Sequence, residues 1–193
     1  MAGPTEILII AAEGEPRWIA ADMLAQAEHD TDASAILLTT SRQLAAAVQE
    51  EIELQLATLP TAATARVAIN KNSAILLVRS LEEAADLSNR FAPEHLSLHH
   101  PELLPLIRHA GGIFLGAASP EAAGDYAAGP NHVLPTSGAA RLRGGLSSAD
   151  FVKVIATQSL TKRGLRDLSS TVTILARAEG LEAHARSVEV RLA

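Results

Sequence analysis

The chain has 193 residues, of which 48% are hydrophobic and only 3% aromatic. That is enough for one sizeable domain with or without an appendage, its core built from Ala, Leu, Ile and Val. A net charge of −6 without a basic stripe argues against nucleic acid, and the lack of cysteine excludes disulfides and thiolate metal sites.

The elements are read in chain order. "EILIIAA" (6–12) is a short apolar run, predicted as a buried strand. It is too short to span a membrane, and no basic segment precedes it as in a signal peptide. A soluble, cytoplasmic protein is therefore expected. "PRWIAADMLAQAEH" (16–29) has Trp18, Ile19, Met23 and Leu24 at helical spacing and is predicted helical. Gln26 and His29, three apart, would then share one helix face. "SAILLTT" (34–40) is a second strand. Ser41 is an N-cap candidate for a helix over 41–59. "SAILLV" (73–78) is a third strand, and 80–91 a helix opened by a capping box, Ser80 to Glu83. "GGIFLG" (111–116) is a fourth strand.

Apolar strands alternating with helices predict an α/β fold, a mainly parallel sheet with helices on both faces. Ligands in such sheets sit beyond the carboxyl ends of the strands. After Gly116 the chain becomes rich in Gly, Pro, Ser and Ala and is predicted as a long loop, a length that usually signals function or disorder. From about Ser147 it turns helical, with segments 169–180 and 181–192 forming a tail. The expected domains are 1–146, α/β, and 147–193, helical tail.

Four places can carry chemistry: Gln26 with His29; the adjacent Glu94 and His95 after Pro93; Asp125 with His132; and Glu179 with His184. Each has an ordinary reading, as an exposed helix end, surface polars after a helix-stopping proline, turn residues, or solvated helix positions. His99, His100 and His109 are read as structural. A metal site without cysteine uses imidazole nitrogen with carboxylate or amide oxygen. Gln26, His29, Asp125 and His184 would supply two of each, although spacing alone is weak support. A Glu beside a His outside a metal shell suits proton transfer.

The segments "AGPTEILII", "MLAQAEHD", "NRFAPEHL", "GGIFLG", "SPEAAGDYAAGPNHVLPT", "LSSADFVK" and "EGLEAHARSVEVR" resemble, in order, those of histidinol dehydrogenase. The resemblance implies a family that oxidises L-histidinol through L-histidinaldehyde to L-histidine with two NAD+, the last step of histidine biosynthesis. It implies zinc ligands at Gln26, His29, Asp125 and His184, and an acid–base pair at Glu94 and His95. It also implies substrate contacts at His132 and Glu179, and at Thr5, where the family commonly has serine. The zinc would hold the substrate's nitrogens; the four ligands and the acid–base pair then also count as substrate-binding. The family's homodimer with an exchanged tail would place His184 in the partner's site.

The resemblance covers the second half of that family's chain. Most NAD contacts are expected on the other half, and no G-x-G-x-x-G fingerprint occurs here. The fold implied is an incomplete Rossmann-like domain with an exposed sheet edge and a helical tail. Three arrangements follow: a shortened chain, one half of a split enzyme with a separate N-terminal-half chain, or a non-catalytic zinc-dependent module for histidinol binding or dimerisation. A zinc hydrolase would need a metal-bound water aimed at a scissile bond, and no motif points to one.

Overall fold

A computed structural model describes residues 3–193; residues 1 and 2, the start of the first predicted domain, lie outside it. The chain divides into two compact units, one ending at Phe151 and one beginning at Val152.

The first unit is built on a five-stranded parallel sheet in the order β3-β2-β1-β4-β5. The strands are β1 Glu6–Ile10, β2 Ser34–Thr39, β3 Ala74–Leu77, β4 His95–Leu98 and β5 Gly112–Leu115. The order reverses direction at β1, so β1 lies between β2 and β4 and is the most enclosed; Ile7, Ile9 and Ile10 are fully buried. Burial on both faces explains why β1 and β2 read as unbroken apolar runs. One face is covered by α1 Pro16–Ala27, α2 Arg42–Leu56 and α3 Ala62–Asn72, around Ile7, Ile9, Ile19, Met23 and Val48. The other is covered by α4 Leu81–Phe91 and a 3-10 turn at Pro101–Leu106, around Leu8, Ile10, Leu96 and Leu98. At the two edges, β3 exposes Leu76 and Leu77, and β5 exposes Ile113 and Leu115.

Several elements differ from the sequence expectation. The predicted helix 41–59 stops at Leu56, and a separate helix, α3, follows in a stretch with no strong apolar period. β4 was not expected, because its four residues "HLSL" carry two polar side chains, all buried between β1 and β5. The long loop after Gly116 contains a helix, α5 Glu121–Tyr126, and two 3-10 turns, Ala139–Arg141 and Ser148–Phe151. The Ser41 cap forms as expected, its Oγ accepting from the Leu44 amide at 3.1 Å. Ser80 accepts from the Glu83 amide at 3.2 Å, but the Glu83 carboxylate turns to the Arg79 guanidinium and amide, so only half of the capping box is made. The ion pair outcompetes the reciprocal bond at this exposed position.

The second unit is a helical hairpin, α6 Lys162–Ala178 and α7 Glu182–Glu189. The chain does not turn helical from about Ser147 as expected: residues 152–161 have no regular structure, and α6 starts at Lys162, seven residues before the segment 169–180. It is capped by Thr161, whose hydroxyl accepts from the Gly164 amide at 3.1 Å. Arg177 ties the pair through Glu182 at 2.9 Å and Glu189 at 3.0 Å, and Ala176 and Ala185 are the buried contact positions.

Candidate active site

Glu94 and His95 stand at the amino end of β4, not at a carboxyl end. They are placed there by the end of α4. Ala92 takes a left-handed conformation (φ 58°), its amide bonded to the Ser88 carbonyl at 2.7 Å, and the chain turns through Pro93 into the sheet. The Gly111 and Gly112 amides then donate to the Pro93 and Glu94 carbonyls at 2.9 and 2.8 Å. A Cβ on Gly111 would stand 2.6 Å from the Glu94 carbonyl oxygen, so this approach requires glycine. The expected carboxyl-end location is therefore corrected. In this sheet the chemistry-bearing residues gather where α1, α4 and the loops return the chain to the strand starts.

Both side chains are held by one residue of β1. The Glu6 amide donates to Glu94 Oε2 at 3.1 Å, and the Glu6 carbonyl lies 3.1 Å from His95 Nδ1. A carbonyl can only accept, so Nδ1 carries a proton, and in the neutral tautomer Nε2 presents the lone pair. Nε2 has no hydrogen-bond partner and faces Asp125 Oδ1 at 3.8 Å. Both residues are buried: Glu94 is 7% exposed and His95 4%. The "surface polar" reading of this pair fails on that number. Phe114 packs on the imidazole with ring centroids 5.8 Å apart. Gly124 makes room for it, since a Cβ there would fall 2.5 Å from Phe114 Cε1.

A hydrogen-bonded chain leads into the pair from α1. Gln26 Nε2 donates to Thr5 Oγ1, and the Thr5 hydroxyl donates to Glu94 Oε2 at 2.6 Å. Gln26 is 2% exposed, whereas His29 is exposed. The shared-face prediction for this pair is corrected: α1 ends at Ala27, and His29 follows the Glu28 cap, its amide bonded to the Gln26 carbonyl at 3.4 Å. The tightening last turn, not a helix face, sets the two side chains.

These residues open on a cavity of 270 Å³ lined by Thr5, His29, Glu94, His95, Asp125 and His132, with Tyr126 at its edge. The first unit thus brings together six of the expected site residues, with Gln26 behind Thr5. Asp125 sits on α5 and not in a loop. Glu179 caps the end of α6 and His184 lies on α7; both are exposed and belong to the second unit.

Sequence reasoning missed a set of carboxyls behind the cavity. Glu121, one helical turn before Asp125, is 3% exposed with neither oxygen bonded. Burial, then the charges of Asp22 and Asp125, push its carboxyl up to about 8. Burial raises Asp22 of α1 to about 6. Their spacing was the available signal: Glu121 precedes Asp125, and Asp22 precedes Gln26, by four residues each. Glu6 was also missed. Its side chain accepts from the Ser137 amide at 3.0 Å, tying the loop after His132 to β1. Burial raises its carboxyl above the ordinary range despite that bond.

Two carboxyls and imidazoles in one recess, with an amide chain behind, suit a metal-assisted proton-transfer site. Among the described residues, no group of three or more His, Asp or Glu side chains stands close enough to hold a metal ion. Donor chemistry still fits a zinc-type ion: His29 and Asp125 line the cavity, and Gln26 uses its amide nitrogen on Thr5, leaving Oε1 as an oxygen donor.

A five-stranded parallel sheet with a buried Glu–His pair beside a cavity defines an α/β protein with a candidate proton-transfer site, and comparison with known proteins names the family. Residues 1–192 match the family model described as Histidinol dehydrogenase. The chain is 53% identical to the histidinol dehydrogenase of Bacillus cereus and 51% to that of Thermus thermophilus, in each case over 99% of this chain. It covers 46% and 47% of those proteins. The crystal structure of histidinol dehydrogenase from Elizabethkingia anophelis superposes with a TM-score of 0.94 at 42% identity, over 99% of this chain and 45% of that one. The chain belongs to the histidinol dehydrogenase family and spans about half the length of the curated relatives it matches. Among the described residues, no helix is long and apolar enough to cross a membrane.

Proposed function

We propose that the chain supplies the zinc and acid–base half of a histidinol dehydrogenase, oxidising L-histidinol through L-histidinaldehyde to L-histidine. The observation that carries this reading is His95: its tautomer is fixed by Glu6, and its free Nε2 points at Asp125 beside an open cavity. In the first oxidation the His95 Nε2 lone pair takes the alcohol proton as the carbinol carbon loses hydride, and Asp125 faces the imidazolium that forms. In the second, Glu94 takes a proton from water as the water oxygen bonds to the aldehyde carbon, leaving the former carbonyl oxygen as an oxyanion. This tetrahedral anion re-forms its C=O bond as the carbon loses hydride, giving the carboxylic acid. Thr5 and the Glu6 amide hold Glu94 Oε2 in place for this step. NAD+, when bound, accepts one hydride in each oxidation.

His29 and Asp125, with Gln26, are the residues proposed to hold zinc, and in a homodimer with an exchanged tail His184 would complete the partner's site. Bound zinc would anchor a substrate that carries an amine and an imidazole, which makes alignment of the reacting carbon a positioning problem. Glu179 and His132 are the further substrate contacts, as is Thr5. A homodimer, a cytoplasmic location and a cofactor site mostly on a separate N-terminal half complete the reading.

The test is NADH formation by the purified chain with zinc, L-histidinol and excess NAD+, alone and with an N-terminal half of a relative added. Two NADH per histidinol in either case supports the reading. No NADH in both cases, with zinc-dependent histidinol binding retained, replaces it with the non-catalytic binding module.

A further inference from the structure

A second recess lies on the α4 side of the first unit, separate in its lining from the cavity above. It is an open groove of 680 Å³ whose walls carry Arg90, Arg108, His109 and Arg141. Asp86 is the single carboxylate on the walls. Among the described residues none of the three arginines makes an ion pair; Arg17 and Arg42 make none either, but these three are set apart by lining one groove. Exposed guanidinium groups gathered in one groove of a chain of net charge −6 concentrate positive potential there and attract anions.

The groove is built, not a chance meeting of long side chains. Asn89 of α4 fixes one wall: its Oδ1 accepts from the Arg108 and His109 amides at 2.7 and 3.2 Å, and its Nδ2 donates to the Leu106 carbonyl at 2.8 Å. Arg141 is fixed on the other side. Its guanidinium donates to the Arg90 carbonyl, at the end of α4, and to the Gly138 carbonyl at 3.2 Å. Gly138 makes that path possible, because a Cβ there would stand 2.2 Å from Arg141 Nη1. Its φ of 75° independently favours glycine. Two backbone acceptors therefore hold Arg141, and its remaining N–H donors stay available. The ordinary reading, a cation capping the last turn of α4, accounts for Arg141 but not for Arg90 and Arg108.

We propose that this groove binds a phosphate-bearing anion. Three guanidinium groups against one carboxylate leave an excess of two positive charges. That excess matches a phosphate monoester or a pyrophosphate better than a single carboxylate, and guanidinium forks accept phosphate oxygens in pairs. The ligand could be free phosphate or pyrophosphate, or the phosphate portion of a nucleotide. The inference does not rest on the function proposed above, and its residues touch none of those assigned there.

The experiment is titration of the full chain with inorganic pyrophosphate, inorganic phosphate, AMP and sodium acetate at matched ionic strength, followed by calorimetry and by the arginine Nε–H signals in NMR. Saturable binding of pyrophosphate or AMP, with shifts at Arg90, Arg108 and Arg141 and at least a tenfold loss of affinity in Arg90→Gln/Arg108→Gln, supports the site. AMP binding more tightly than phosphate assigns a nucleotide; equal or weaker binding assigns the free anion. Gln at both positions keeps the side-chain stems, and an unchanged circular dichroism spectrum and unfolding midpoint would show that the variant folds. No saturable binding, acetate competing equally, or binding that survives the double substitution overturns the proposal.

Discussion

The two ends of the parallel sheet are chemically unlike. At the carboxyl end the loops close on one another. The Ala12 amide donates to His100 Nε2 at 3.0 Å, His100 Nδ1 then donates to Glu102 at 3.2 Å, and the His99 amide bonds the Ile10 carbonyl at 3.1 Å. Its histidines, apart from a buried and unpartnered His99 Nδ1, serve the backbone. At the amino end the polar groups instead face a cavity, and His95 Nε2 is left without a partner. In doubly wound sheets the carboxyl end is the usual ligand site. Here the buried Glu94–His95 pair stands at the other end. Topology alone does not locate chemistry, nor does a buried unpartnered nitrogen, since His99 Nδ1 is one as well; the polar groups that converge on a cavity do.

Four substitutions sharpen that contrast. The largest effect belongs to His95→Ala. Removing the one free imidazole nitrogen should lower NADH formation by about a hundredfold or more, while the thermal midpoint, measured in parallel, moves far less than the rate. An active His95→Ala chain would move the base elsewhere.

Next comes Glu121→Gln. The folded chain keeps this carboxyl protonated up to about 8, against an ordinary value of 4.5. The folded state therefore binds a proton that the unfolded state has lost, so its contribution is complete below pH 4.5 and fades as pH rises toward 8. Urea unfolding at pH 5 and pH 8 should show wild type losing about 3–4 kcal/mol more than Glu121→Gln across that interval. Parallel pH slopes would mean that Glu121 ionises freely. Asp22, raised less, should add a weaker slope of the same sign below about pH 6.

Gly124→Ala should cost about 1–3 kcal/mol, the range for overpacking, because Phe114 must yield and with it the face of His95. A crystal structure with Phe114 and His95 unmoved would break the link between packing and the site. The smallest effect is expected at the carboxyl end. His100→Ala leaves the Ala12 amide without its acceptor and should cost about 1 kcal/mol of stability, with NADH formation per folded chain unchanged. A selective loss of turnover would erase the distinction between the two ends.

Much of this was legible from the residues. The apolar runs at 6–12, 34–40, 73–78 and 111–116 each contain an observed strand; in β1 and β2 burial on both faces requires an apolar run, whereas the edge strands β3 and β5 are apolar although partly exposed. Ser41 and Ser80 mark their helix starts, since an N-cap is a local hydrogen bond that needs no tertiary partner. Segment resemblance alone points to the family, and Glu94 and His95 stand out in the sequence as an adjacent acid and base.

What only the tertiary structure decided is where these groups lie and what each can do. β4 is not read as a strand because "HLSL" is only four residues long, too short for its alternation to register, and its two polar side chains are nonetheless buried. Only pairing with β1 and β5 makes it one. The tautomer of His95 depends on the Glu6 carbonyl, 89 positions away in sequence. The helical state of Asp125, and with it the buried Glu121 one turn earlier, depends on α5 packing over Phe114. Sequence patterns report local preference and average burial. Hydrogen-bond partners, unsatisfied atoms and carboxyls driven up by burial arise from contacts between segments far apart in the chain, which no local pattern encodes.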